Sequence, residues 1–349
     1  MNINGHNKII SHVGEFSLIS KIDALLKNNG TTAPENMRLG IGDDCAVISI
    51  ANGCDIVVTC DSMVENKHYL PFCMTPRMIG RRSMVQNLSD IGAMGAVPRF
   101  AFIALSLPKD VNVGWVEELY LGFLDELNPM HAVIAGGNIT STNGPTAITI
   151  TLMGEVKKAR AIERKNAAPG DVILVTGYPG RAAAGLRMLI NDDMESGYKK
   201  LFVDAYCAPK HRVAEGVAAA KTSFLTAMID ISDGFIADLK HLCESSGVGA
   251  NLFENKISFD AELELWSNSL NISKNEMFLG TSDDYELIMT CAEEHSGQVI
   301  KAINAVSDVI VNKVGVLTPE REELKIINNE GEIKNIFISG WDHFLSNSR

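Results

Sequence analysis

Along this chain, segments that alternate apolar and polar residues are interleaved with segments whose apolar residues recur every three or four positions. Residues 56–61 (IVVTCD) are rich in β-branched side chains and predict a strand. Thr75-Pro76 sets an N-cap residue before a proline at the first helical position. The helix it predicts runs to about Met94, with Met84, Leu88, Ile91 and Gly95 at helical spacing. A second helix carries Trp115, Leu119, Phe123 and Leu127 at successive i,i+4 steps, the signature of a buried stripe. Residues 132–135 and 146–154 predict strands, the latter alternating Ile148, Ile150 and Leu152 with Ala147, Thr149 and Thr151.

Around residues 157–170 the pattern turns charged and then breaks at Pro169-Gly170, which predicts a connection between two domains, 1–156 and 157–349. The second half restarts with a strand over 172–176, a turn at 177–180 (GYPG) and an alanine-rich helix. Helices over 209–221, 235–245 and 293–306 and strands over 227–231, 285–291 and 309–316 complete the pattern. This order lacks the strict βαβ rhythm of a doubly wound parallel sheet, so the fold class predicted is α+β with mixed layers.

Length and composition narrow the picture. A chain of 349 residues exceeds what one hydrophobic core organises, in keeping with two domains. With 46% hydrophobic and 21% charged residues it has the proportions of a globular protein. No apolar run approaches the roughly 18 residues of a spanning helix, and residues 1–16 lack the order of a secretory signal. The seven cysteines include no C-x-x-C pair, which argues against a disulfide framework or a thiolate zinc site and points to a reducing, cytoplasmic setting. A net charge of −12 argues against phosphate-driven binding to nucleic acid or anionic membranes. It still permits work on polyphosphates where divalent cations intervene.

No Gly-Lys dipeptide occurs, so there is no Walker A loop. Aspartates instead cluster at the ends of predicted elements: Asp43-Asp44 in LGIGDDCAV, Asp61 closing VVTCD, Asp90 in NLSDIGAMGA, Asp230 and Asp233 in IDISDG, and Asp283-Asp284 in SDDYEL. Each alone is an ordinary turn former. As a set they are more telling, because Asp61 and Asp230 each close an apolar strand at a sheet end. Mg²⁺ favours such oxygens and bridges one or two carboxylates to substrate phosphates. Ser232 and Asp233 fall at the start of the next helix, where a phosphate or its metal is favoured. Asn87 and Asp90 share one helical face. On their own residues, His68 reads as a strand-end histidine, Trp341 as a packing residue, Cys45 and Cys60 as buried small hydrophobes, and 177–180 as a tight turn.

Taken in order, GEFSLI (14–19), LGIGDDCAV, TCDSMVENKHYL, NLSDIGAMGA, the Gly136-Gly137-Asn138 segment, PGD ending at Asp171, TGYPG with AAAGL, IDISDG, DDYEL and GWDHF (340–344) resemble the thiamine-monophosphate kinase family nearly end to end. That family belongs to a superfamily with aminoimidazole ribonucleotide synthetase and selenophosphate synthetase. The resemblance implies a PurM-like architecture: an N-terminal α/β domain that binds ATP and Mg²⁺ and dimerises through its sheet, followed by a C-terminal α/β domain with a mixed sheet. It implies that Asp44, Asp61 and Asp90 hold Mg²⁺, with Thr59 and Cys60 nearby, and that Asp230 and Asp233 bind further Mg²⁺. It also implies that Gly137, Asn138, Arg164 and Ser232 contact ATP, and that His68, Asp283 and Trp341 contact thiamine monophosphate.

Two positions depart from the family pattern. Its glycine-glycine-aspartate reads Gly136-Gly137-Asn138, an amide where a Mg²⁺ carboxylate is expected. Its glycine-glycine-glutamate before DYEL reads Thr281-Ser282-Asp283. The activity implied is transfer of the ATP γ-phosphoryl group to thiamine monophosphate, giving thiamine diphosphate, by positioning and metal electrostatics with no protein nucleophile. The alternatives are another ATP-using enzyme of the superfamily and a catalytically silent nucleotide-binding paralogue.

Overall fold

The computed structural model describes residues 8–42, 45–191, 197–272 and 274–336. Contacts divide the chain into two units, residues 1–91 with 96–159, and residues 92–95 with 160–349.

In the first unit, helix α1 (Glu15–Asn29), strand β1 (Cys54–Val64), helix α2 (Pro76–Ala93), strand β2 (Val97–Leu107), helix α3 (Val113–Leu127), strand β3 (Val133–Ser141) and strand β4 (Ala147–Lys157) succeed one another. The four strands form a sheet in the order β1-β4-β2-β3, antiparallel except for the parallel pair β2–β3. Register puts Thr59 opposite Leu152, Asp61 opposite Ile150 and Met63 opposite Ile148, so these six residues share one face. That face is the core side: Met63, Ile148, Ile150 and Leu152 are buried. The opposite face of β1 exposes Val58, Cys60 and Ser62.

Thr75 starts α2 as the sequence predicts, its hydroxyl accepting the Met78 N–H at 3.3 Å. In α3 the stripe Leu119, Phe123 and Leu127 is fully buried, whereas Trp115 is only half-buried; Val116 and Tyr120 take its place in the core. Strand β2 was not marked by the sequence pattern. Pro98 near its start reads as a breaker, and proline is tolerated only near strand ends or on edges.

The second unit contains β5 (Val172–Thr176), α4 (Arg181–Ile190), α5 (Lys199–Cys207), α6 (Val213–Lys221), β6 (Leu225–Asp230), α7 (Phe235–Ser246), β7 (Gly249–Phe253), α8 (Ala261–Ser269), β8 (Leu287–Cys291), α9 (Ser296–Asn304), β9 (Val311–Thr318), β10 (Leu324–Ile327) and β11 (Ile333–Asn335). Its seven-stranded sheet runs β11-β10-β7-β9-β5-β8-β6, with only β7–β10 parallel. Every residue of β5 and β8 is buried, because both faces are covered. Ile173, Val175 and Ile229 pack with α7 through Phe235, Leu239 and Leu242, while Val172, Leu174, Met228 and Met289 pack on the other side with Ala219, Val299 and Ile303. The mixed α+β class predicted from element order is what forms.

Three predicted elements shorten. The helix over 209–221 starts at Val213, the strand over 285–291 starts at Leu287, and the helix over 293–306 begins as a short 3₁₀ turn before Ser296. Tyr285 cannot join β8 in regular extended form because its φ is +55°.

Candidate active site

Strand period decides what the first unit can offer. β1 delivers the side chains of Thr59 and Asp61 to the core face and sends Cys60 to the other, where the Thr151 hydroxyl donates to Cys60 Sγ at 3.4 Å. Cys60 and Cys45 are exposed, not the buried small hydrophobes their sequence context predicts. On the core face, Thr59 Oγ1 donates to Asp90 Oδ2 at 2.5 Å. Asp61 and Asp90 are also hydrogen bonded to one another, which brings together three of the predicted metal-site residues. Burial foremost, then the Asp90 charge and that hydrogen bond, push Asp61 up to about 7. One turn before Asp90, Asn87 is buried; its amide donates to the Ser83 carbonyl at 3.0 Å, and its Oδ1 has no hydrogen-bond partner among the described residues.

This donor set fits a Mg²⁺ ion. Two carboxyls held together in a half-buried place repel when both are ionised, and a divalent cation removes that repulsion. Among the described residues no cluster of three or more histidine, cysteine or acidic side chains occurs. Two carboxylates are what Mg²⁺ commonly takes from a protein when phosphates supply the rest. Asp44 lies outside the described residues.

Other predicted residues of this unit fall elsewhere. Asn138 registers with Ala104, which registers with Thr149 and through it with Ser62. It therefore occupies the face opposite to Asp61, and it is exposed. Gly137, at φ +159°, passes so close to β2 that a Cβ would lie 2.0 Å from the Ile103 carbonyl oxygen, so no other residue fits there. His68 closes the turn after β1, its Nδ1 accepting the Val64 N–H at 2.9 Å, which fixes the ring and leaves the proton of the neutral imidazole on Nε2.

In the second unit Asp230 is the buried last residue of β6, as the sequence predicts. Ser232 and Asp233 lie in the turn before α7, and Asp238 organises that turn. Its Oδ2 accepts the N–H groups of both Ser232 and Asp233, each at 3.0 Å. Burial pushes Asp238 up to about 7, opposed by these two donors and by the charge of the exposed Arg164. Gly234, at φ +114°, lets the turn meet the chain at 280–281, where a Cβ would stand 2.3 Å from the Gly280 carbonyl oxygen. Asp283 is half-buried two residues beyond that contact, while Trp341 lies outside the described residues.

Buried acids beside these segments that were not among the predicted site residues are Asp238, Asp284 and Glu286. Asp238 organises the turn just described. Asp284 accepts the Gly180 and Ala182 N–H groups at 2.7 and 2.9 Å. Glu286 receives Arg212 Nε and Nη2, both at 2.6 Å, and the Thr176 hydroxyl at 2.6 Å. The signal for Asp238 was its place in the first turn of a helix, where an acid reaches back to free N–H groups. Asp284 and Glu286 were visible in DDYEL, but nothing local tells which acid of that run points inward. The GYPG turn is a capped helix start rather than a phosphate cradle, since Asp284 and Ser282 already take the N–H groups of Gly180, Ala182 and Ala183.

The chain is similar to known proteins over both units. Residues 42–156 match the family described as AIR synthase related protein, N-terminal domain, and residues 168–327 match AIR synthase related protein, C-terminal domain. The thiamine-monophosphate kinase of Escherichia coli is 32% identical over 341 residues, covering 95% of this chain and 99% of that protein. The crystal structure of thiamine-monophosphate kinase from Stenotrophomonas maltophilia superposes with a TM-score of 0.78 at 28% identity, covering 92% of this chain and 98% of that one. AaThiL complexed with AMPPCP and TMP gives 0.74 at 27% identity, covering 97% and 99%.

Proposed function

The chain belongs to the thiamine-monophosphate kinase family of AIR synthase related proteins, and from that we propose that it transfers the ATP γ-phosphoryl group to the phosphate of thiamine monophosphate at a Mg²⁺-dependent site. The observation that carries this reading is the Asp61–Asp90 carboxyl pair within a chain that matches the kinases over 95% of its length. Mg²⁺, when bound, supplies the charge neutralisation that lets two phosphate groups approach. The residues supply position. Asp61 and Asp90, steadied by Thr59, would offer one set of carboxylate oxygens to Mg²⁺. Asp230 and Asp233 present another. The N–H of Ser232 is taken by Asp238, so Ser232 contacts nucleotide through its exposed hydroxyl. Arg164 reaches an ATP phosphate, and His68, Asp283 and Trp341 hold the thiamine portion. No general base is required, because the attacking phosphate oxygen is already ionised.

The test is direct. Incubated with ATP, Mg²⁺ and thiamine monophosphate, the protein yields ADP and thiamine diphosphate in equal amounts. ADP formed only with a different phosphorylated acceptor would point to another activity of the superfamily, and nucleotide binding without turnover would leave a silent paralogue.

The reading includes a homodimer in the cytoplasm. Among the described residues no helix is long and apolar enough to cross a membrane. The face of the first sheet that carries Val58, 57% exposed in mid-strand, is the surface through which two copies would join. Sedimentation is expected to give twice 37.9 kDa, and Val58→Asp, which sets a charge on that face, to give the monomer. A wild-type monomer at micromolar concentration would remove this part of the reading.

A further inference from the structure

The segment that carries Asp283 is held from several directions within the second unit. Asp284 uses both carboxylate oxygens on the start of α4, accepting the Gly180 N–H at 2.7 Å and the Ala182 N–H at 2.9 Å. Ser282 Oγ accepts the next free N–H, that of Ala183, at 3.2 Å. The Tyr285 N–H donates to the Ile231 carbonyl and the Ile231 N–H to the Glu286 carbonyl, both at 2.8 Å, which ties the segment to the loop of Ser232 and Asp233. Gly234 meets Gly280 and Thr281 backbone to backbone.

Between these anchors Tyr285 sits at φ +55°, a left-handed conformation that is unfavourable for a bulky residue and persists only where the surroundings over-determine it. Asp284 and Glu286, on either side of Tyr285, are buried, whereas Asp283 is only half-buried. Burial pushes Asp284 up to about 6, and the N–H groups of Gly180 and Ala182 with Ser282 pull against that.

We propose that Asp284 is a positioning residue for acceptor binding: by fastening residues 282–285 to the start of α4, it fixes where the Asp283 carboxylate meets the substrate. This rests on the reading of Asp283 as a contact to thiamine monophosphate. Asparagine at 284 has the same size but turns an amide N–H₂ toward one of the two N–H donors, so one anchor is lost and the segment loosens. The backbone strain at Tyr285 adds to the release. A residue that served only to cap α4 would lower stability without favouring one substrate over the other.

Steady-state kinetics on Asp283→Ala, Asp284→Asn, their double variant and Ser282→Ala separate these roles. Asp284→Asn is expected to raise KM for thiamine monophosphate at least about tenfold, since small misplacement of a binding group is costly, while KM for ATP stays within about twofold. Because Asp284 acts through Asp283, adding Asp284→Asn to Asp283→Ala produces no further rise. Ser282→Ala removes one anchor and shows the same selectivity at smaller size, which keeps the question open to measurement if Asp284→Asn does not fold. A KM effect in Asp283→Ala with none in Asp284→Asn or Ser282→Ala overturns the positioning role alone. An additive rise in the double variant overturns it too. No effect in Asp283→Ala removes the reading of Asp283, and the proposal with it.

Discussion

Asp90→Asn is expected to lower kcat about 10²–10³-fold while the protein stays folded, the usual loss when one preorganised electrostatic contact of a transition state is removed. Asp90 is the shared member of the first-unit cluster: it is bonded to Asp61 and accepts the Thr59 hydroxyl at 2.5 Å. An amide keeps the shape and an acceptor for Thr59, but it removes one of the two negative charges that would attract a hard cation. The same substitution ends the repulsion that helps push Asp61 up, so folding does not suffer. Activity and stability therefore move separately. The check is kcat at saturating ATP and thiamine monophosphate over a range of Mg²⁺, beside a thermal melt. Near-wild-type turnover at limiting Mg²⁺ would exclude Asp90 from the metal site, and loss of the cooperative melt would mean that its role is structural.

Much of this arrangement could be read from the sequence because it is local. The N-cap Thr75 and Pro76 set where α2 begins, and Met84, Leu88 and Ile91, which the spacing picks out, are buried in a helix that is enclosed on nearly every side. The end of an apolar strand fixed Asp230 at a sheet edge. What could not be read depends on strand parity and distant pairing. Thr59, Cys60 and Asp61 are consecutive, so at most two side chains share a face; only the register of β1 with β4 says that Thr59 and Asp61 are on the face of Asp90 and Cys60 is not. Asn138 is a sharper case. A bulge between β2 and β3 resets the alternation there, and the side chain lies on the face opposite to Asp61. In DDYEL every residue but Asp283 is buried, so no alternation marks the inward acids, and the choice of Asp284 over Asp283 follows from N–H groups about a hundred residues away in sequence.

The largest effect on stability is expected at Arg212. Its guanidinium meets Glu286 with two parallel bonds of 2.6 Å, and the two side chains are 16% and 9% exposed. Burial works against the guanidinium charge, yet Glu286 holds its pKa above the ordinary value. Glu286 is enclosed further by the Thr176 hydroxyl and by Gly177, whose Cα leaves room for the carboxylate where a Cβ would not. Arg212→Ala strands that carboxylate without its cation, and breaking a buried pair from one side costs about 3–5 kcal/mol. Replacing both partners by apolar residues, Arg212→Met with Glu286→Leu, is expected to recover part of the loss, since a buried ion pair commonly does no better than a well-packed apolar pair, while buried Glu215, 3.9 Å from the guanidinium, still loses its cation. The Thr176 hydroxyl limits that recovery only slightly, because it also accepts the Leu287 N–H at 2.8 Å. Denaturant unfolding of the single and double variants measures both values. A loss below about 1 kcal/mol in Arg212→Ala, the level of an exposed ion pair, would mean that water reaches the Glu286 carboxylate and that the pair is not the anchor of the DDYEL segment.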